Sequence, residues 1–344
     1  MGLTWATLVG CSAPQPNPWW LVEHVEPLAV RLEVIAEGPW ATDPPGRRRF
    51  ADPLPLDTVQ VTPFVVDPDG PVSLEDLDAA WVLCDFNDGT CLDDLALRGS
   101  LPACEVAEPY RFESCLLGRG PRATFTFGLP PVPEEPITTL AGLRFGHRYR
   151  MIAGIPGVEE TDVCIERLRR RESMFDCIMM AGSVSFGPVH RMVEVMTDLG
   201  AEVWVPPEEL DPREFRNRHP EIERFFVTNL DTDTWTTVPS GGTLEVEPGT
   251  RLSLEWLEDE EDRDKMPVAE GAFDPLGQNM VPELLQIIWR FGREVERTRS
   301  TGNPIEMTAP AAGDVPVFVV AMDSTGPNRG MAFGWLRVRV SKPR

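Results

Sequence analysis

Thirty-five prolines are spread along this chain of 344 residues and divide its apolar stretches into short runs. Proline removes a backbone hydrogen-bond donor, so it disfavours the interior of helices and of central strands. Several runs between the prolines alternate apolar and polar residues, which is the period of a half-buried strand. The pattern therefore predicts a mainly β protein with many short strands joined by loops.

The first half of the chain resembles an immunoglobulin-type sandwich. The predicted strands cover residues 28–35, 58–66, 80–84, 123–127 and 149–154. Asp67-Pro-Asp-Gly70 is a strong turn signal after the second strand, and Trp81 lies on the third. A tryptophan on a central strand among Pro-rich turns is typical of this fold. We expect a sandwich over residues 23–157, with a Cys-rich insertion at 85–120.

Residues 158–220 have a different sequence pattern, which predicts a small helical connector. The segment 159–171 has helical spacing, with Val163, Ile165 and Leu168 on one side. The segment 187–200 has proline near its start and glycine at its end, which are helix start and stop signals.

A second immunoglobulin-like or PKD-like sandwich is expected over residues 221–344. Its predicted strands cover residues 224–230, 242–249, 251–256, 286–291, 315–322 and 332–340. The strand at 286–291 carries Trp289 and is expected at the centre of a sheet, and the last two strands are expected to form a closing hairpin. A helix over 282–299 is an alternative, because Pro282 suits a first helical turn.

The charge balance excludes one class of partner. The formal net charge is −23, so the basic footprint of a nucleic-acid-binding protein is absent. No run of 18 apolar residues occurs, so the sequence contains no transmembrane helix signal. The short basic clusters Arg47–Arg49 and Arg169–Arg171 are expected to be salt-bridged or solvated.

Cysteine number and spacing favour disulfides over a metal site. Beyond Cys11 the sequence has six cysteines, an even number that in an exported chain predicts three disulfides. Cys164 and Cys177 stand apart from the rest and are the expected pair. Four others, Cys84, Cys91, Cys104 and Cys115, are expected to pair among themselves. No CxxC motif occurs and the four histidines are scattered, so zinc is disfavoured.

Three motifs suggest chemistry only weakly. Ser183-Val-Ser185-Phe-Gly187 approaches a nucleophile elbow, but Ser183 replaces the first glycine, and a helix cap or turn is favoured. The segment 85–89 is typical of a tight turn rather than a calcium loop. Glu258-Asp-Glu-Glu-Asp262 is expected to be a solvated acidic loop. No catalytic residue, cofactor or metal ligand is assigned.

Residues near the start indicate a location. Leu8-Val9-Gly10-Cys11 resembles the lipobox of bacterial lipoproteins, which implies acylation of Cys11 and a new N-terminus there. The resemblance, with Ser12 after the cysteine, implies sorting to the outer membrane. No Lys or Arg precedes Cys11, which suggests a true start codon further upstream. Trp19 and Trp20 follow the tether and are expected to dock on the first sandwich.

As a whole, the chain resembles outer-membrane lipoproteins of deltaproteobacteria of the myxobacterial type. That resemblance rests on the lipobox, the Trp81–Cys84 strand, the Cys164–Cys177 segment and the C-terminal hairpin. It implies a non-enzymatic, lipid-anchored envelope protein that binds or scaffolds a protein or glycan. The alternatives are an extracytoplasmic hydrolase with Asp and Glu in a cleft at the connector, or a calcium-dependent adhesion module.

The anchor can be tested directly. Expression from an upstream start should give a product that partitions into the detergent phase, because acyl chains on Cys11 bury many methylenes. Cys11→Ala should release the protein into the aqueous phase. A product with Cys11 intact and a working signal that stays aqueous would contradict the prediction.

Overall fold

The computed structural model describes residues 20–42, 49–85, 91–98, 100–104, 114–206, 216–256, 265–267, 280–282, 285–297, 301–323 and 330–341. The protein is mainly β, as predicted, with 47% strand and 13% helix. Cys11, Trp19, the acidic run at 258–262 and most of the turn at 85–89 lie outside the described residues.

The N-terminal unit, residues 26–206, contains two antiparallel sheets among its described residues. Its strands are β1 (Glu26–Ala36), β2 (Thr58–Asp67), β3 (Gly70–Pro71), β4 (Ala79–Asp85), β5 (Cys115–Arg119), β6 (Ala123–Thr126), β7 (Gly146–Gly154) and β8 (Cys177–Ser185). Its α-helices are α1 (Cys91–Arg98), α2 (Thr161–Arg170) and α3 (Val189–Asp198). The first sheet has the order β1-β2-β3, with β6 also on β2, and the second has the order β5-β4-β7-β8.

Trp81 lies in the core between these two sheets. Its side chain is fully buried on the central strand β4, and its indole N–H donates to the carbonyl of Gly120 at 2.9 Å. The opposite face of the second sheet packs against α1 and α2, so Val82 and Ile152 meet Leu95 and Cys164 in a second apolar cluster. The unit therefore has three layers: two sheets and a pair of helices.

Disulfides tie the helical layer and its neighbours to the sheet. Cys164 on α2 is bonded to Cys177 at the start of β8, and Cys104 to Cys115 at the start of β5. Cys84 is also disulfide-bonded.

The predicted separate connector at 158–220 is wrong. Strand β8 pairs with β7 along its whole length, and α3 packs into the main core of the N-terminal unit. The segment 177–185 has no charged residue and no strict alternation, and it lies between two helices. Its sequence pattern therefore does not predict a strand. The predicted insertion at 85–120 is likewise wrong at its end, because β5 pairs with β4. Val163, predicted on the packed side of α2, is exposed.

The C-terminal unit, residues 224–341, has two larger sheets in the described part of the chain. Its strands are β9 (Arg224–Asn229), β10 (Thr234–Pro239), β11 (Thr243–Val246), β12 (Arg251–Trp256), β13 (Lys265–Pro267), β14 (Met280–Pro282), β15 (Leu285–Phe291), β16 (Glu296–Arg297), β17 (Ile305–Thr308), β18 (Gly313–Asp323) and β19 (Met331–Val340). The third sheet has the order β10-β9-β12-β17-β16, the fourth β11-β19-β18-β15, and β13 pairs with β14.

The closing strands of this unit pair as a hairpin. Strands β18 and β19 are antiparallel over ten residue pairs, while β11 adds to β19 in parallel. Residues 285–291 form a strand rather than a helix, but β15 ends the order of its sheet rather than occupying its centre. Trp256 and Trp289 are buried between the third and fourth sheets.

The two units pack together through the outer faces of the first and fourth sheets. Phe64 on β2 stacks on Phe333 of β19 at 4.6 Å between ring centroids and meets Phe318 of β18 edge-to-face at 6.3 Å. Val66 and Val320 complete this apolar interface. Because each face is apolar where they meet, separating the units would expose aromatic surface to water.

The described part of the chain that connects the units, residues 216–222, is largely buried. The backbone N–H of Ala51 donates to the carbonyl of Asn217 at 2.8 Å, and that of His219 to Arg49 at 2.9 Å. The N–H of Met331 donates to Nδ1 of His219 at 2.8 Å, so the ring proton sits on Nε2. That Nε2–H donates to the carbonyl of Leu32 at 2.6 Å. His219 thus joins β1 of one unit to the start of β19 of the other.

The N-terminal segment Trp20–Val22 docks on the C-terminal unit, contrary to the prediction that it docks on the first. The N–H of Phe291 donates to the carbonyl of Trp20, and the N–H of Val22 to the carbonyl of Phe291, both at 2.9 Å. The segment therefore covers the edge of β15 before the chain enters β1. The edge-to-face contact of Trp20 with the ring of Phe291, at 6.4 Å between centroids, and the backbone bonds to the edge of β15 explain this preference.

A fully buried ion pair holds the connecting chain in place. The Arg216 guanidinium donates to the Asp57 carboxylate, stacks on the ring of Phe50 at 4.3 Å, and its Nε donates to the carbonyl of Asp52 at 2.7 Å. Burial raises the pKa of the Asp57 carboxyl, while Arg216 and the backbone N–H groups of Leu54 and Gly38 oppose the rise.

Removing one member of this pair should be strongly destabilising. We expect Arg216→Met to lower the free energy of unfolding by about 3–5 kcal/mol, because it leaves a buried carboxylate without its cation. Arg170→Met, which breaks the exposed pair with Glu166, should cost no more than about 1 kcal/mol. Urea titration of both variants checks the difference. Equal losses would contradict this account of the connecting chain.

Candidate functional site

The residues singled out from sequence do not come together in the described structure. Ser185 is buried at the end of β8, and the helix that follows begins after Pro188. Two acidic residues of the predicted connector, Glu159 and Asp176, both pair with Arg167, at 2.6 and 3.2 Å. These carboxylates therefore have a structural partner.

The histidines are separated from one another. His147 is buried, stacks on Phe127 at 5.6 Å, and its Nδ1 lies 3.2 Å from the carbonyl of Cys84. His219 bridges the two units as described above. Within the described residues, no group of three or more His, Cys, Asp or Glu is arranged to hold a metal ion. No α-helix among them is long and apolar enough to cross a membrane.

One broad polar surface stands out on the C-terminal unit, the outer face of the third sheet. Directly opposed residues on paired strands project to the same face. Trp235 lies opposite Thr228, Thr228 opposite Ser253, and Ser253 opposite Glu306, so one row crosses four strands. A second row places Thr237, Phe226 and Glu255 side by side.

We call this surface the β10–β16 face. It comprises Phe226, Thr228, Trp235, Thr237, Arg251, Ser253, Glu255, Glu296, Glu306 and Thr308. Its other side is the buried core, where the intervening residues of β9, β12 and β17 point. The strict alternation along these strands therefore creates one apolar face and one polar face.

An aromatic platform lies at one end of the face. The side chain of Trp235 is 70% exposed, although tryptophan is usually largely buried. Its ring lies 6.2 Å from that of Phe226, tilted by 32°. Hydroxyl groups of Thr228 and Thr237 lie beside it on the same face. The arrangement offers a flat apolar surface bordered by hydrogen-bonding groups.

A shallow cavity of about 170 Å³ lies at the other end. It is lined by Leu230, Arg251, Glu296, Arg297, Glu306, Met307 and Thr308. Arg251 is paired with Asp231 at 2.8 Å, and hydrogen bonds from Arg251 lower the pKa of that carboxyl. Strands β10 and β17 are separated by three inter-strand spacings, or about 14 Å. An elongated ligand can therefore contact both ends at once.

A second cavity, of about 370 Å³, lies on the N-terminal unit. It is lined by Pro131, Pro133, Glu135, Pro136, Ile137, Thr138, Thr139, Gly142 and Phe145. The backbone N–H of Trp204, another exposed tryptophan, donates to the carbonyl of Ile137 at 2.8 Å. This groove is mostly apolar and lacks the rows of hydroxyl and carboxylate groups that the β10–β16 face presents.

Sequence reasoning missed the β10–β16 face. The segment 234–239 was not predicted as a strand, although Thr-Trp-Thr-Thr follows the turn residues Asp231-Thr-Asp233. Phe225 and Phe226 are adjacent on the predicted strand over 224–230, and of the two only Phe225 is fully buried. The alternation of apolar and polar residues along β9 is visible in the sequence. The cross-strand register that brings residues of five strands onto one face is not.

Comparisons with known proteins give no family. No family model matches the chain, and no curated protein matches it significantly. Dimeric latent PorU from Porphyromonas gingivalis is 14% identical, over 92% of this chain and 24% of that chain, with a TM-score of 0.19. The three N-terminal domains of the outer capsid protein Hoc of bacteriophage RB49 are 8% identical, over 92% and 71%, with a TM-score of 0.18. Similarities at this level carry no argument about fold or function.

The exposure of Trp235 predicts that it has no role in stability. Trp235→Ala should change the free energy of unfolding by less than about 0.5 kcal/mol, as at other surface positions. Trp289→Ala, in the core of the same unit, should cost about 3–5 kcal/mol. Chemical denaturation of the two variants measures the contrast. A similar loss for both would show that Trp235 supports the fold rather than a ligand.

Proposed function

We propose that this protein is a non-enzymatic, glycan-binding protein of the bacterial cell envelope. In this proposal it is anchored by lipid at Cys11 to the outer membrane and consists of two immunoglobulin-like sandwiches. The observation that carries the binding function is the exposed indole of Trp235 on a rigid sheet, bordered by hydroxyl and carboxylate groups.

The chemistry of the β10–β16 face matches a sugar. A pyranose ring has an apolar face of C–H groups, which fits an aromatic ring, and a rim of hydroxyls. Threonine and serine hydroxyls both donate and accept hydrogen bonds, and carboxylates accept them, so Thr228, Ser253 and Glu306 suit that rim. A row of such groups across four strands fits a chain of sugars rather than a single one.

Other partners fit the same face less well. An exposed aromatic ring also stacks on nucleobases, but a net charge of −23 opposes a polyphosphate chain. A protein partner would favour a tryptophan surrounded by further apolar groups that exclude water. Trp235 is flanked by the hydroxyl groups of Thr228 and Thr237 and by one aromatic ring, and carboxylates lie further along the same face, which favours a glycan.

The disulfides support a location outside the cytoplasm. The disulfides Cys104–Cys115 and Cys164–Cys177 join a loop and helix α2 to strands of the second sheet. Such bonds persist in oxidising compartments. An envelope location also places the protein among polysaccharides. The lipid anchor and the outer membrane are supported by the lipobox at Leu8–Cys11 and Ser12.

A glycan array tests the proposal. We expect the purified chain without its first 19 residues to bind at least one of the immobilised glycans, either a neutral polysaccharide or another polysaccharide of bacterial origin. Trp235→Ala should weaken that binding by about tenfold or more, in line with the ~1–3 kcal/mol of one aromatic stacking contact in nucleic-acid binding.

The control is Trp204→Ala, which removes an equally exposed tryptophan, 68% against 70%, beside the apolar groove. This variant should bind like the parent. Retention of no glycan, or loss of binding in Trp204→Ala but not in Trp235→Ala, would overturn the proposal.

A further inference from the structure

Strand β8 (Cys177–Ser185) is an edge of the second sheet. Within the described part of the chain it pairs with β7 alone, and β1, which packs beside it from the first sheet, pairs instead with β2. Folded proteins protect an edge of this length with charged side chains, a proline, a bulge or a covering segment. Strand β8 contains no charged residue and no proline, and its register with β7 is continuous. Its outer edge is therefore open to another strand.

Two backbone hydrogen bonds show which groups of β8 face that edge. The N–H of Ile155 donates to the carbonyl of Asp176 at 3.1 Å, at one end of the β7–β8 ladder. The N–H of Phe186 donates to the carbonyl of Phe145 at 2.9 Å, at the other end. Residues of an antiparallel strand alternate between those bonded to the neighbour and those facing away from it. The even-numbered residues of β8 therefore bond to β7, and the odd-numbered ones direct their N–H and C=O groups outward.

Three residues in the middle of β8 carry these outward groups: Met179, Ala181 and Ser183. All three are exposed, Met179 by 43% of its surface. Their N–H groups donate to no backbone carbonyl among the described residues. An added strand can therefore form hydrogen bonds with three donors and three acceptors on this edge.

We propose that a second copy of the chain binds this edge, with β8 pairing antiparallel to the partner's β8 in a twofold-symmetric dimer. The proposal is independent of glycan binding. A twofold axis at Ala181 places that residue opposite the partner's Ala181, and places Met179 opposite the partner's Ser183. In this register the three outward-facing residues of each copy form three hydrogen-bonded pairs, with about six backbone hydrogen bonds across the interface.

The charge of the chain favours this uncharged edge as the contact between copies. A net charge of −23 on each copy opposes association through surfaces rich in acids. Next to the outward-facing residues, β7 carries Arg148 opposite Ser183 and Arg150 opposite Ala181. Arg150 and the partner's Arg150 would lie three inter-strand spacings apart, or about 14 Å, which exceeds the screening length of about 8 Å. An edge without charge gives an oppositely charged partner nothing to pair with, whereas an identical strand matches it in length and polarity.

Sedimentation velocity of the full chain tests the proposal, with Cys11→Ala in every variant to exclude acylation and intermolecular disulfides at that residue. At about 100 μM and physiological salt we expect mainly dimer, because small interfaces have dissociation constants in the micromolar range. Ala181→Pro removes only an outward N–H, a change that edge strands tolerate. This variant should sediment as a monomer and keep the near-ultraviolet circular dichroism spectrum of the parent.

Thr237→Pro is the matched control on another edge. The N–H of Ser240 donates to the carbonyl of Glu223 at 2.8 Å, so the even-numbered residues of β10 bond to β9 and the N–H of Thr237 faces outward. Strand β10 has an outward N–H only at Trp235 and Thr237, since Pro239 has none. Thr237→Pro should therefore sediment as a dimer, like the parent.

Two double variants test the register without altering the backbone. Met179→Lys with Ser183→Glu sets opposite charges against each other across the interface, whereas Met179→Lys with Ser183→Lys sets like charges against each other. We expect the first to remain a dimer and the second to be monomeric. A monomeric parent, a dimer that survives Ala181→Pro, dissociation by Thr237→Pro, or equal association of the two double variants would overturn the proposal. If Ala181→Pro loses the parent's spectrum, the two double variants decide the outcome.

Discussion

The aromatic packing between the first and fourth sheets fixes the arrangement of the whole molecule. Phe64 lies between Phe318 and Phe333, and the residues around it are apolar on both sides. The connecting chain reinforces this contact, since His219 bonds to backbone groups of both units. With the fourth sheet covered on both faces, the third sheet is the layer of the C-terminal unit that faces outward. The interface thus determines which surface of the protein is available to a ligand.

The same packing explains why residues with weak local signals are buried. Arg216 would be expected at the surface of a linker, yet it is fully buried against Asp57 and Phe50. Its burial follows from its contacts with the N-terminal unit, where it also donates from Nε to the carbonyl of Asp52 at 2.7 Å. Trp20 is a second example. Its carbonyl accepts a hydrogen bond from the edge strand β15 of the C-terminal unit, just before the chain enters β1 of the N-terminal unit. Both are consequences of tertiary structure.

Local patterns were enough to predict most strands but not how they associate. Alternation predicted β1, β2, β9 and β12, and the turn at Asp67–Gly70 is closed by the Asp67 side chain as its residues suggest. Strand β8 was missed because Cys177–Ser185 has no clear period and lies between two helices. The candidate face was missed for a different reason. Its members come from five strands, and a register is decided by packing of the opposite, buried face.

The central claim is that the outer face of the third sheet binds glycans. It can be tested by following the indole N–H signals of the ten tryptophans by NMR while a polysaccharide fragment is added. The account predicts that the Trp235 signal shifts progressively with ligand, while those of Trp204 and the buried Trp81 do not move. A shift confined to Trp204, beside the apolar groove of the N-terminal unit, or no shift at Trp235 on binding, would contradict it.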